Sequence, residues 1–240
     1  MCVDFEGMGM EKGHSELHLW VLNLNELVKS IDMLKNLLSK DEHERANRFA
    51  FVKDRNRFIC FRGVLRCLLG RYMGQNPREV QIMYGEFGKP FLKQERIFFN
   101  VSHSHHMGLI GISRSDPLGV DIEQIRSFPE AQLLSEQFFS DREKRMIRQT
   151  QGDIKAFFRI WARKEAFIKA LGRGLSQSLE RFDVVDESGG WIEYINDSRG
   201  SERYQVRDLS VDPDYSAALC FQGNGKPHIR MQTFLLKSFF

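Results

Sequence analysis

The sequence predicts an α+β protein whose two halves each combine short strands with a long helix, without a clear sequence repeat between them. Three observations carry this. Short β-branched or aromatic runs bounded by turn residues recur along the chain. Two longer segments, about Asp54–Tyr72 and Phe157–Leu175, carry a helical period. Between them, around residues 114–118, a polar turn-rich stretch marks a boundary, giving halves of 1–116 and 117–240.

Taken in order, the first fifteen residues read as a polar leader without the basic-then-apolar pattern of a signal peptide. Glu16–Asn23 alternates as a strand, and Asn25–Leu38 reads as a helix. Ser39 with Glu42 three residues on caps the next helix. Along Asp54–Tyr72, Phe58, Phe61, Leu65, Leu68, Leu69 and Tyr72 share an arc of ~100° at helical spacing. Arg55, Arg62 and Arg66 form a stripe beside that arc, which suits either a solvated face or a phosphate-lined groove. Val80–Tyr84 reads as a strand, and Gly88-Lys89-Pro90 as a rigid loop able to present an ammonium to an anion. Ile97–His103, Met107–Ser113 and Leu118–Glu123 read as a meander of three strands. His103, His105 and His106 lack a further ligand set at zinc spacing and read as a polar turn, with His103 still open to phosphate. Residues 124–139 read as a loop and helix, followed by a helix capped by Ser140 with Glu143. Leu179–Val185, Trp191–Ile195, Tyr204–Leu209 and Tyr215–Gln222 read as strands, with Gly189-Gly190 and Gly200 at turns. The tail from Gly223 carries no clear pattern.

Composition limits the function classes. The 240 residues carry 35 Lys and Arg against 32 acids, a net charge of +3, so any basic site is local and the chain is not a general nucleic-acid coat. Cys2, Cys60, Cys67 and Cys220 form no CxxC pair and read as reduced thiols. No apolar run approaches the ~20 residues that span a bilayer. The expectation is a cytoplasmic protein with no membrane and no nucleic-acid partner.

The chemistry-bearing residues lie in the second half. Asp121 and Glu123 are two apart on a strand and share a face. Two adjacent carboxylates repel, which calls for a cation or a basic partner; a buried salt-bridge network is the structural alternative. On the helix from Phe157, Trp161, Glu165 and Ile168 share one side, Glu165 and Lys169 are one turn apart, and Gly172 and Gly174 supply the stop. Three carboxylates with no soft ligand suit Mg²⁺, which keeps waters and takes further ligands from phosphates.

These segments together resemble one family. Gly88–Pro90, Phe99–Ser104 (FNVSHS), Leu118–Glu123 (LGVDIE) and Trp161–Leu175 (WARKEAFIKALGRGL) are similar to the ordered motifs of the 4′-phosphopantetheinyl transferases, in the surfactin-type, monomeric branch. The match runs from about Arg45 to Phe182. The resemblance implies two α+β halves related by a pseudo-twofold axis, with coenzyme A in the cleft between them. It implies transfer of the phosphopantetheine arm of CoA to a serine of an apo acyl or peptidyl carrier protein, releasing 3′,5′-ADP. It implies Asp121, Glu123 and Glu165 as ligands of Mg²⁺, with Mn²⁺ as the alternative, and Lys169 beside the pyrophosphate. Lys89, Ser102 and His103 correspond to CoA contacts, and Arg45 and Arg57 to basic CoA-binding positions. Glu143 falls near an acidic position discussed as a base. The carrier is expected to be acidic, docking on the stretch from Ile125 to Phe139 with Arg126, Phe128, Leu133, Leu134 and Phe138, although those apolar residues equally suit inward packing.

Three rival readings use the same residues. A nucleic-acid-binding module built on the arginines of 45–71 gives Asp121, Glu123 and Glu165 no task. A metal-dependent phosphoesterase uses the carboxylates with water as the nucleophile. A pseudoenzyme binds carriers without transfer.

Overall fold

The computed structural model describes residues 16–93, 97–172, 178–185, 194–196, 202–223, 225 and 227–239. The predicted turns at Gly174, Gly189-Gly190 and Gly200 lie outside them. Strand β1 (Glu16–Asn23) comes where the alternation places it, and both of its faces are buried. The predicted helix of 25–38 is broken into α1 (Leu24–Leu27), a 3₁₀ turn at Val28–Ser30 and α2 (Ile31–Lys35). The break is at Ser30, whose φ of −123° and ψ of 28° leave the helical basin. The Ser39–Glu42 capping box opens α3 (Lys40–Asn47). Helix α4 runs Val52–Met73 and is buried over much more than the expected arc, because α1, α2 and α3 pack over its back.

Two of the arginines on α4 are structural. Arg66 is buried; its Nε lies 2.5 Å from Glu42 Oε2, and its Nη1 donates to the carbonyls of Pro77 and Val80 at 3.0 Å each. Arg62 donates to Tyr84 Oη at 2.7 Å and lies 3.4 Å from Glu42 Oε1. The stripe borders the core because these two guanidiniums are anchored by Glu42, so Arg62 and Arg66 fit neither the solvated face nor, with most of their donors engaged, an open phosphate groove.

Strands β2 (Ile82–Tyr84) and β3 (Pro90–Leu92) form a small antiparallel ribbon. β4 (Phe98–Ser104) and β5 (Met107–Ser113) form a hairpin whose turn holds His105 at φ +53°. β6 (Leu118–Gln124) does not continue this meander. It opens a second sheet of order β6-β9-β8-β7, with β7 (Tyr194–Asn196), β8 (Arg203–Leu209) and β9 (Tyr215–Gln222), all antiparallel. The first sheet has the order β10-β1-β5-β4, where β10 (His228–Thr233) runs parallel to β1. The tail therefore returns to the first half, and Phe234 and Phe239 pack edgewise on Trp20. A strict division at residue 117 does not hold for it. Its strand, HIRMQT, is an exposed edge whose alternation is limited to Ile229 and Met231, too little to reveal it.

The core has three layers of contact. Trp20, Leu22, Ile110 and Ile112 face α4. Leu17, Leu19 and Leu109 meet Val120, Ile122 and Leu219 between the two sheets. The far side of the second sheet packs on α7 (Ile154–Leu171) through Ala218, Cys220, Ala166 and Ala170. Helices α5 (Ala131–Phe138) and α6 (Asp141–Gln149) lie beside α7, the latter opened by the Ser140–Glu143 capping box. Leu179–Val185 is a 3₁₀ turn and a loop rather than the expected strand, because side chains of α6 and α7 take up its backbone groups. Among the described residues no helix is long and apolar enough to cross a membrane.

Candidate active site

The site forms where α7 lies directly on β6. Gly119 makes that approach possible: a Cβ there would fall 2.0 Å from the Ala166 carbonyl oxygen and 2.3 Å from the Ala170 nitrogen. The close contact brings Glu165 and Lys169 of α7 over the face of β6 that carries Asp121 and Glu123.

On the other edge of β6, side chains of β4 replace a partner strand. Asn100 Oδ1 accepts from the Val120 N–H at 2.9 Å, Ser102 Oγ from Ile122 at 3.4 Å, and Ser104 Oγ from Gln124 at 3.1 Å. The period of two along FNVSHS turns these three side chains to one face. The same hydroxyls hold the carboxylates. Ser102 donates to Asp121 Oδ1 at 2.8 Å, and Ser104 donates to Glu123 Oε2 at 2.9 Å. Ser102 also accepts from Lys169 Nζ at 3.0 Å. It is thus engaged in positioning Asp121, which sequence reasoning about a phosphate contact did not anticipate.

Lys169 Nζ lies 2.6 Å from Asp121 Oδ1, so its carboxylate partner is on the strand and not one turn away at Glu165. Asp121 is 2 % exposed, and its Oδ2 has no hydrogen-bond partner. Burial and the neighbouring Asp121 charge push Glu123 up to about 7. Burial and Asp121 also raise Glu165. The carboxylates thus repel one another, with one ammonium among them. Among the described residues no group of three or more His, Cys, Asp or Glu is drawn together as a metal centre. The donor chemistry nonetheless fits a hard divalent cation: Glu123 and Glu165 are raised by burial and by the Asp121 charge, and one buried Asp121 oxygen is left unpaired.

A cationic rim adjoins them. His103 follows Ser102 on β4 with its imidazole exposed; partial desolvation lowers its pKa, and so do Lys169, Arg57 and Arg45. Its ring packs at 5.5 Å from Phe61. Arg57 Nε and Nη2 are buried without a hydrogen-bond partner. Arg45 is exposed, with its guanidinium 5.2 Å from the Phe58 ring centroid. His105 and His106 form the hairpin turn, His106 bonding Tyr215 Oη at 3.0 Å, and gather no metal ligands.

Two matches cover most of the chain. Residues 26–113 match the family described as "4'-phosphopantetheinyl transferase, N-terminal", and residues 117–220 match the "4'-phosphopantetheinyl transferase superfamily". The 4'-phosphopantetheinyl transferase HetI of Nostoc sp. (strain PCC 7120) is 37% identical over 71% of this chain and 74% of its own length. The chain belongs to the 4′-phosphopantetheinyl transferase superfamily. A putative transferase of Synechocystis sp., slr0495, is 34% identical over 71% of each chain. The transferase Sfp of Bacillus subtilis (strain 168) is 28% identical over 77% of this chain and 82% of its own.

Two residues expected at the transferase site stand apart from the cluster. Glu143 is fully buried: its Oε2 accepts from Ser140 N at 2.9 Å and lies 2.8 Å from Lys164 Nζ, and its Oε1 accepts from Val184 N at 2.8 Å. With both oxygens engaged inside the core it has none to offer as a base. Lys164, absent from the expected site set, donates also to the carbonyls of Leu179 and Phe182 at 2.7 and 2.8 Å. Lys89 likewise turns inward, toward backbone carbonyls rather than toward the cationic rim.

Proposed function

We propose that this transferase moves the 4′-phosphopantetheine group of coenzyme A to a serine hydroxyl of an apo acyl or peptidyl carrier protein. The observation that carries the reading is one juxtaposition. His103 lies within the electrostatic reach of Lys169, Arg57 and Arg45, with Arg57 nitrogens unpartnered, and Lys169 pairs with Asp121, whose second oxygen is unpaired beside Glu123 and Glu165. A phosphate anion suits the first group and a divalent cation the second, and a pyrophosphate substrate brings both together.

In this reading the serine oxygen forms a bond to the pantetheine-side phosphorus, and the anhydride P–O bond to 3′,5′-ADP breaks. Arg45, Arg57 and His103 hold the phosphates of CoA. Lys169 stabilises the charge that grows on the leaving bisphosphate. Glu165, whose carboxyl pKa is raised by burial and by the Asp121 charge, accepts the serine proton. Asp121, Glu123 and Glu165 would hold Mg²⁺, with Mn²⁺ as the alternative, which would neutralise pyrophosphate charge. CoA would lie in a cleft between two pseudo-twofold-related halves, each a sheet backed by one long helix. The working form is a cytoplasmic monomer without nucleic-acid or membrane partners.

For the acidic carrier, one docking element stands out. Leu133 on α5 is 68% exposed, and the exposed Arg126 guanidinium lies 5.1 Å from the Phe128 ring centroid. Phe128, Leu134 and Phe138 pack against the second core, so only part of the expected surface is free.

Intact-protein mass spectrometry of an apo carrier with this protein, CoA and Mg²⁺ tests the reading. A gain of one phosphopantetheine, lost with EDTA and with the carrier serine changed to alanine, is expected. CoA breakdown without any gain on fatty-acid and peptidyl carriers alike would replace it with the phosphoesterase reading.

A further inference from the structure

Lys89 is the half-buried cation that the proposed reaction leaves without a role. Its Nζ donates to three main-chain carbonyls: Lys169 at 2.5 Å, Ala170 at 3.3 Å and Leu118 at 3.5 Å. The first two belong to the last turn of α7, where carbonyls lack helical partners and the helix dipole is negative. The third is the first carbonyl of β6. Three acceptors match the three protons of an ammonium. Gly172 ends the helix at φ +70°, and a Cβ there would come 3.3 Å from Lys89 Cδ, so the cap leaves room for the lysine stem. Desolvation pulls the ammonium down to about 8.

We propose that Lys89 is a positioning residue and not a ligand of the CoA phosphates. It ties the Gly88–Pro90 loop of the first half to the two elements that carry the carboxylates and Lys169. Gly119 sets how closely α7 approaches β6; Lys89 sets how far α7 slides or rotates along it, because it grips both at one point. The residue whose carbonyl it holds most tightly, Lys169, is the one whose side chain reaches Asp121. Loss of the grip would misplace Lys169 and Glu165 by fractions of an ångström, which is costly for transfer and nearly neutral for binding.

The inference rests on the transferase reading for its kinetic part and on geometry alone for its structural part, and the test separates them. Lys89→Met removes the ammonium and keeps the stem; Lys89→Gln keeps a donor without charge. Hydrogen exchange of amides 166–172 is measured for both, with the dissociation constant of CoA and with kcat and KM for transfer. In Lys89→Met, exchange of those amides rises at least about tenfold. CoA affinity and KM stay within about twofold while kcat falls at least about tenfold, and Lys89→Gln recovers part of kcat and of protection. Weakened CoA binding in both variants with unchanged exchange would make Lys89 a phosphate contact and overturn the proposal. If the wild-type protein transfers nothing, the exchange result still decides whether Lys89 grips α7. If Lys89→Met does not fold, Lys89→Gln decides: CoA binding lost overturns the proposal, CoA binding kept with lowered kcat supports it.

Discussion

Helix α7 presents two carboxylate–lysine pairs five residues apart, and they differ in how completely they are closed. At Lys164 each proton finds an acceptor and both oxygens of Glu143 are engaged, with exposures of 1% and 0%. At Lys169 the ammonium is half-buried and, among the described residues, bonds Ser102 and Asp121, while Asp121 Oδ2 is left unpaired. A closed pair in the core fixes residues 179–184 against α6 and α7. An open pair beside repelling carboxylates is unfinished until a ligand completes it. Two carboxylate–lysine pairs with their lysines on one helix thus differ in the satisfaction of their polar atoms, which separates the closed scaffold pair from the candidate site.

The largest expected effect is on the open pair. Asp121→Ala and Glu165→Ala each lower transfer by at least about a hundredfold, as loss of a charge-stabilising group does, with little change in unfolding temperature. Carrier modification followed by mass, with a melting curve beside it, reads both. Next comes the closed pair. Lys164→Met leaves Glu143 buried without its cation and costs about 3–5 kcal/mol; pairing it with Glu143→Leu removes the lone charge but returns only part of that loss in urea unfolding, because the Ser140 and Val184 N–H groups and the Leu179 and Phe182 carbonyls stay unpaired. Gly119→Ala sharpens the contrast by touching only geometry. Its methyl cannot fit against the α7 backbone, so about 1–3 kcal/mol is lost and transfer falls while Lys164 stays in place.

Smaller effects test the rim. Arg57→Ala raises the KM for CoA about tenfold, as loss of a charge-assisted contact does, and changes kcat less. The pH effect concerns Glu123, which sits near 7 in the folded chain against an ordinary 4.5. Between those values the folded chain keeps a proton the unfolded chain has lost. Without divalent cation, stability therefore falls as pH rises through that window, by about 1.4 kcal/mol per unit of pKa difference. Unfolding curves of Glu123→Gln lose that part of the slope.

Much of this was legible in the sequence, for local reasons. The spacing of Asp121 and Glu123, the Ser39 and Ser140 capping boxes, and the strands around the FNVSHS and LGVDIE segments depend on neighbours within a few residues. What escaped depends on distant partners. No pattern near Lys164 points to Glu143, 21 positions earlier, so the sequence shows Glu143 as the capping partner of Ser140 but not as the partner of a buried ammonium. No pattern in Asn100, Ser102 and Ser104 shows that they replace a strand along β6, and the β4–β5 hairpin therefore read as continuing into it. Strand β10 pairs with β1 from the far end of the chain with an exposed polar face, and the arginines of α4 divide into anchored and open ones only once Glu42 is placed.

The most direct test of the contrast is a side-by-side measurement of Asp121→Asn and Glu143→Gln. For each, urea unfolding gives stability, and carrier mass gives transfer per folded molecule with CoA and Mg²⁺. The expected result is a crossing: Asp121→Asn keeps its stability and loses transfer, while Glu143→Gln loses stability and its folded fraction still transfers. A stable, folded Glu143→Gln without transfer, beside an active Asp121→Asn, would contradict it.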